Sequence, residues 1–429
     1  MDHFRRALES ISVQTFRDFE VVIVDNTQGD GVLNIAREIF PHDGRLNYYR
    51  LKASKGMPYA LNVGLHRRDG THVMFMGQHD CLSEKALSFY KDEIEAHPGV
   101  DIVYSDWDEI VGRQRQNPAF LPDFNVELLR HMNYIGDFAV FSVDALRRIG
   151  TVREQLDTAA IYDLLLRGVE KKVTSRHIPR LLYHKRIFGD LVLSPEYRKG
   201  SEKTYREHVT VAAAHLHRCG IGGDVTPDKS GEFWKVHYDG SKAKFRTKEY
   251  ILIKGKGVEV RTSHYLERMY GILKQKDVGL VGARFERGFQ IDNCGYIFDE
   301  KGLVYPVCCE MSAFEKGYMN RAVIPWDVSM VDSSLFLLDA QILEKVGGID
   351  KRLTGHAMML DLCFKIKEAG RRVVIDPVVV ARKWRDDDED MIDETSRKTL
   401  CEVWQDVIKK GDPYYNSNLP MGLRNYTLY

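Results

Sequence analysis

The sequence predicts an α/β protein: a three-layer α/β/α arrangement around a mostly parallel sheet, in two related domains in tandem. Short apolar runs closed by polar residues alternate with segments of helical periodicity, the pattern of buried parallel strands joined by crossover helices. The same strand-then-polar ending recurs in both halves of the chain. Gly150 and Gly348, Asp163 and Asp361, and Pro179 and Pro377 share one common spacing in similar local patterns, as two copies of one supersecondary unit would.

Length and charge bound what such a protein can be. A chain of 429 residues accommodates two or three domains, each with its own core. Its 62 basic residues equal its 62 acidic ones, so there is no global positive field to hold nucleic acid or anionic lipid. Seven irregularly spaced cysteines without a C-x-x-C pair read as free thiols in a reducing compartment. Met1-Asp2-His3-Phe4-Arg5-Arg6 leads into a helical pattern without an apolar signal core. No apolar stretch approaches the roughly 20 residues that span a bilayer. The expected location is cytoplasmic, with peripheral association at the inner face of the membrane as the alternative.

Taken in order, Leu8, Ile11, Ser12 and Phe16 fall on one helical stripe. Phe19 to Val24 is then an apolar run closed by Asp25 and Asn26, a buried strand ending where ligands of open α/β sheets bind. Leu46 to Leu51 is a short strand, Met57 to Gly64 opens a helix, and His72 to Met76 is a strand ending in Gly77-Gln78-His79-Asp80. Asp101 to Tyr104 ends in Ser105-Asp106-Trp107-Asp108, and Val278-Gly279-Leu280-Val281 resembles Val100-Asp101-Ile102-Val103 in the second half. Ser201 to Cys219 is an amphipathic helix, and the Gly-, Asp- and Pro-containing segment 220–231 is a linker. The expected domains are 1–200, a helix and linker over 201–230, a second domain over 231–384, and a tail over 385–429. That tail opens with the acidic run 385–390, read as a solvated helix start or loop.

Leu8-Glu9-Ser10-Ile11-Ser12-Val13-Gln14-Thr15-Phe16 followed by Phe19 to Asn26 resembles the opening of family 2 glycosyltransferases of the GT-A fold. So do Ser54-Lys55-Gly56 with Ala60 to Gly64, Val103-Tyr104-Ser105-Asp106, and His177 to His184. The resemblance covers residues 1–190 well and 250–382 more weakly. It implies transfer of a sugar from a nucleotide-diphosphate donor to a glycan or lipid-linked acceptor, in synthesis of a polysaccharide or surface glycan. It further implies a divalent cation, Mn2+ or Mg2+, held by Asp80 with His184. Asp25, Asn26, Lys55, Asn62 and His79 would surround the nucleotide sugar, and Asp106 and Asp108 would face the acceptor side. Imidazole in place of a carboxylate at His79 shifts preference from magnesium toward manganese.

Three departures shape the expectation. The family opens with a strand ending in a Pro-x-Tyr-Asn-like turn that has no counterpart here, which would leave neighbouring strands without a partner. The usual base position is Ile161, so Asp163 or Asp157 would have to take the proton. In the second copy Lys254, Lys256 and Met359 stand where metal acids and base would be, and lysines repel a cation. A transferase-derived binding or scaffold module is therefore the alternative. Plain structural readings also stand at this point: Asp25 and Asp80 as helix caps, Asp163 and Asp361 as matched fold residues, Met57, Met74 and Met76 as core, and Cys308-Cys309 as packing.

Overall fold

The structure is a computed structural model that describes residues 1–188, 195–384 and 393–420. The acidic run 385–390 lies outside the described residues. The chain divides into two compact units, Met1–Phe124 with Asn133–Cys219, and Asn125–Met132 with Gly220–Tyr429.

The first unit begins with α1 (Asp2–Ser12), β1 (Val21–Asp25), α2 (Gly31–Ile39), β2 (Leu46–Arg50) and α3 (Met57–Arg67). Of the expected stripe, Leu8 and Ile11 pack, with Phe4, against Val21, Ile23, Ile35, Ala36 and Phe40, whereas α1 ends at Ser12 and Phe16 lies beyond it. β1 and β2 pair in parallel, Val21 opposite Leu46 through Asp25 opposite Arg50, and form a sheet of their own. On the other face of β1, Gly64 of α3 lies against Val22 and Val24.

Next come β3 (His72–Met74), β4 (Cys81–Leu82), α4 (Ala86–Ala96), β5 (Ile102–Val111) and β6 (Gln114–Ala119). α5 (Val126–His131) follows in the chain but belongs to the second unit. The first unit resumes with β7 (Val140–Ser142), α6 (Val143–Ile149), α7 (Ala160–Glu170), β8 (Ser175–Ile187) and α8 (Pro195–Arg218). These strands make a sheet in the order β3-β7-β5-β8-β4, with β6 alongside β5. β5 and β8 are parallel, whereas β7 is antiparallel to both β3 and β5, and β4 is antiparallel to β8. Val103, Phe138, Val140, Ile178, Leu182 and Tyr183 form its core with Ala86 and Tyr90 of α4.

β1 has a strand partner on one side only among the described residues. The two sheets nonetheless start side by side, because Glu20, just before β1, accepts the N–H groups of Asp69 and Gly70, just before β3.

The second unit contains β9 (Gly223–Pro227), β10 (Trp234–Tyr238), β11 (Tyr250–Lys254), β12 (Val258–Val260), α9 (Tyr265–Leu273), β13 (Val278–Arg287) and β14 (Gln290–Asn293). It continues with β15 (Tyr296–Phe298), β16 (Val304–Pro306), β17 (Trp326–Asp327), β18 (Leu335–Asp339), α10 (Ala340–Lys345), α11 (Gly355–Glu368), β19 (Arg372–Lys383), α12 (Glu394–Val403) and α13 (Gln405–Ile408). Its main sheet runs β11-β18-β13-β19-β12, with β14 on β13 and β17 on β19. Position by position this is the order of β3-β7-β5-β8-β4. The directions agree too: β13 and β19 are parallel, and β11–β18, β18–β13 and β12–β19 are antiparallel. Even the helix entries correspond, with Ser142 capping α6 and Asp339 capping α10 through their side chains.

α5 completes the second unit through a buried polar network. Asn125 exchanges hydrogen bonds with the backbone of Asp327, and the Glu127 N–H donates to the Asp327 carboxylate at 3.0 Å. Arg372 donates to Asp327 at 2.6 Å, to Asp277 at 2.8 Å and to Glu127 at 3.2 Å, so the buried charges are mutually compensated.

Candidate functional site

Asp25 and Asn26 stand at the end of β1, and His79 and Asp80 follow β3. At the tip of β1 the Asp25 carboxylate is buried, and one oxygen accepts from the Thr27 N–H at 2.8 Å and its hydroxyl at 2.7 Å. The other oxygen accepts from the Tyr48 hydroxyl at 2.5 Å, with Arg50 of β2 3.7 Å away. Burial works to raise the Asp25 pKa, but the Thr27 and Tyr48 hydrogen bonds and Arg50 outweigh it and hold the carboxyl below its usual range. Tyr48 is pushed the other way, by burial and by the adjacent carboxylate. The Asn26 side chain accepts from the Lys55 N–H at 3.2 Å, and the Lys55 ammonium lies 4.6 Å from the centre of the Tyr59 ring. Lys52 and Lys55 are exposed, which gives this mouth cations for a phosphate-bearing ligand.

Beyond β3 the chain turns at Gly77, whose C=O accepts from the Asp80 N–H at 3.1 Å. Both Asp80 oxygens are engaged: one accepts from the Tyr183 hydroxyl at 2.6 Å, the other from the Arg186 N–H at 2.8 Å. Burial, then Asp80, raise Tyr183 well above its ordinary pKa, so it stays a neutral donor. His79, His3 and Phe188 form a mutual edge-to-face cluster, and the buried His79 Nδ1 has no hydrogen-bond partner. Burial lowers the His79 pKa, with His3 adding to the effect, so the ring is neutral near pH 7 and keeps a lone pair to offer. That orphaned nitrogen, on the residue next to Asp80 in the chain, is a donor of the kind a divalent cation takes. Asp80 and His79 are the residues that would hold one.

His184 is directed elsewhere. Its Nδ1 faces Asp108 at 2.7 Å, and Arg115 shares the same carboxylate at 2.7 Å. Burial opposes the charged form of Asp108, yet His184 and Arg115 hold its pKa low. Asp106 is fully buried, accepting from the Leu121 N–H and facing His177 Nε2, each at 2.8 Å. Neither Asp106 nor Asp108 has the exposure needed to touch an acceptor; both hold β5 to its neighbours. Asn62 is buried as well, bonding to the backbone of Val152 in both directions and to Glu154, which ties α3 to that segment.

Asp163, expected as an alternative base, is fully buried and bound by Arg167 at 2.7 Å and Arg153 at 3.2 Å. Each of its oxygens is taken by a guanidinium group, so it ties α7 to its neighbours in the fold. Its counterpart Asp361 is likewise buried, facing Trp404 at 2.9 Å and Lys365 at 2.6 Å. Asp157 is exposed and pairs with Lys203 at 2.7 Å, leaving it the solvent-reaching carboxylate of the two. Ile161 is buried in the first turn of α7.

Sequence reasoning missed Tyr48, Tyr183, Arg186 and Glu207. Tyr183 stands beside His184 in a segment already singled out, and strand alternation directs the two to opposite faces. Glu207 of α8 accepts from the N–H groups of Asp157, Thr158 and Ala159 at 2.6 to 2.8 Å, capping α7 from a distance that no local pattern reveals. One further cluster, Glu170, His215 and Cys219, is close enough to suggest a metal. Arg218 occupies Glu170 at 2.7 Å, however, and with His215 it overcomes burial to hold that carboxyl at about 2. The cluster is an ion pair between α7 and α8.

Residues 2–150 match the family model for glycosyl transferase family 2. The chain is 23% identical to an uncharacterized protein, y4gI, of Sinorhizobium fredii, over 98% of this chain and 56% of that protein. It is 30% identical to the O-antigen biosynthesis protein RfbC of Myxococcus xanthus, over 52% of this chain and 17% of that protein. It is 35% identical to a PGL/p-HBAD biosynthesis glycosyltransferase of Mycobacterium tuberculosis, over 23% of this chain and 39% of that protein. The chain thus spans about half the length, or less, of these curated relatives. No helix among the described residues is long and apolar enough to cross a membrane. The residues that match glycosyl transferase family 2 contain Asp25, Lys55 and Asp80.

Proposed function

We propose that this chain transfers a sugar from a nucleotide-diphosphate donor to a glycan or lipid-linked acceptor during synthesis of a surface polysaccharide, with the donor held by the first unit. The observation that carries this reading is the pair of carboxylates at strand ends, Asp25 at the tip of β1 and Asp80 beyond β3, within the matched residues. RfbC is an O-antigen biosynthesis protein and the mycobacterial protein a PGL/p-HBAD biosynthesis glycosyltransferase, which supports the product class.

In this reading the bond between the sugar and the diphosphate breaks, the acceptor hydroxyl oxygen forms the new bond, and its proton passes to a carboxylate. Asp25 and Asn26 hold the nucleoside, with Tyr48 fixing the Asp25 rotamer. Lys55 and Lys52 attract the diphosphate. Asp80, oriented by Tyr183 and Arg186, and His79 hold a divalent cation that when bound offsets charge on the leaving diphosphate. Asp157 takes the proton after parting from Lys203. The second unit is read as a degenerate copy: its strand order repeats the first, while Lys254 and Lys256 replace metal-binding acids.

One observation favours a second reading, a binding module without turnover: the usual base position is a buried isoleucine, Ile161. Calorimetry with uridine and guanosine diphosphate sugars, with and without manganese, tests the donor site. Metal-dependent heat that is lost in Asp80→Ala and weakened at least tenfold in the exposed Lys55→Ala supports it, and equal heats with and without metal refute it. Release of nucleoside diphosphate in the presence of acceptor then separates transferase from binding module.

A further inference from the structure

The second unit carries an unpaired strand edge whose geometry fits itself. β11 pairs with β18 on one side and, among the described residues, ends the sheet on the other. Glu249 C=O accepts from Ala340, and the Gly255 N–H donates to Ser334, so the odd-numbered residues 249 to 255 spend their backbone groups on β18. By alternation, the N–H and C=O groups of Tyr250, Leu252 and Lys254 point outward. The strand is also apolar on both faces. Leu252 packs into the core with Tyr250, while Ile251 and Ile253 are 36% and 38% exposed. The latter two border a groove of about 170 Å³, lined further by Phe336, Leu338, Met358 and Met359. An exposed apolar edge of this kind is a template for another strand.

We propose that this edge is the interface for a second copy of the chain, joined antiparallel about a two-fold axis through Leu252. In that register Leu252 faces itself, Tyr250 faces Lys254 of the second copy, and every outward N–H meets an outward C=O. Ile251 then lies opposite Ile253 of the second copy, on the groove side, so each covers the other's exposed apolar surface. The charges agree with this register. Within the strand the lysine meets a tyrosine, whereas sliding by two residues one way would set Lys254 against Lys248 of the second copy. A pair of five-residue strands falls short of the ~1,200–2,000 Å² of stable interfaces, so the dimer is weak and concentration-dependent.

Sedimentation velocity on the whole chain, from low to high micromolar, tests this. The weight-average mass is expected to climb from one toward two chain masses. Ile251→Lys with Ile253→Lys is expected to stay at one chain mass with an unchanged circular dichroism spectrum. An equal mixture of Ile251→Cys and Ile253→Cys chains, oxidised with glutathione disulfide, is expected to yield a cross-linked peptide joining the two positions, mapped by mass spectrometry. A single chain mass throughout, a dimer that survives the lysine pair, or cross-links that join other cysteines instead would overturn the proposal.

Discussion

The Tyr183 hydroxyl donates to Asp80 at 2.6 Å, linking β8 to the turn beyond β3. The ring is pinned by stacking on Phe138 at 3.9 Å, so the hydroxyl is aimed before any ligand arrives. Tyr183→Phe keeps the ring and removes that donor. Because the acceptor is charged, the first unit is expected to lose about 1–2 kcal/mol in urea unfolding. A loss near zero would mean that Asp80 finds an equal partner elsewhere.

Glu207 supplies the side-chain cap of α7, a helix whose own N-cap residue, Ala159, has none. Glu207→Ala leaves those N–H groups to solvent and is expected to destabilise the first unit by about 1–2 kcal/mol. Glu207→Gln, which retains acceptor oxygen without the charge, should recover part of it. Denaturant midpoints of the three proteins, side by side, decide the matter.

His177 gives the first unit a pH dependence of definite sign. Burial disfavours its charged form, but Asp106 at 2.8 Å and Asp123 at 3.7 Å outweigh that and raise its pKa above 6.5. A raised value means that the charged histidine stabilises the fold fully below about pH 6.5 and that this contribution fades as pH climbs through the folded value. Wild-type stability relative to His177→Gln should therefore shrink as pH rises above about 6.5. A difference that is constant or grows with pH contradicts the assignment.

Arg372 compensates three carboxylates, Asp327, Asp277 and Glu127. Arg372→Met removes the cation while filling similar volume and strands buried charge, at an expected cost of about 3–5 kcal/mol to the second unit. Replacing Asp327 by Asn in the same chain should return part of that loss, since one unpaired charge then disappears. Additive losses in the double variant would argue against coupling.

How much of this was legible follows from how far apart partners lie in sequence. β1 announces itself as Val-Val-Ile-Val closed by Asp25, and the structure ends the strand there. The paired residues at a common spacing reflect a strand order realised twice. His184 was visible as a candidate ligand, but its binding to Asp108 depends on the register of β5 against β8, which no local pattern fixes. Nor could the buried state of Asp106 be read, since an aspartate at a strand end looks alike whether it meets substrate or a histidine; for Asp163 the match with Asp361 already pointed to the fold. The six-residue α5 was illegible for the same reason: Glu127 and Arg372 are 245 positions apart.

That helix also dictates how the polypeptide can be divided. Asn125–Met132 interrupts the sequence of one unit and completes the other, so the backbone crosses between them repeatedly. Any single scission leaves one product short of a strand, a helix or its buried counter-charges. Excising either half would require a circular rearrangement or a grafted peptide, and during synthesis the early-emerging segment must wait, unsatisfied, for partners more than two hundred residues behind it on the ribosome.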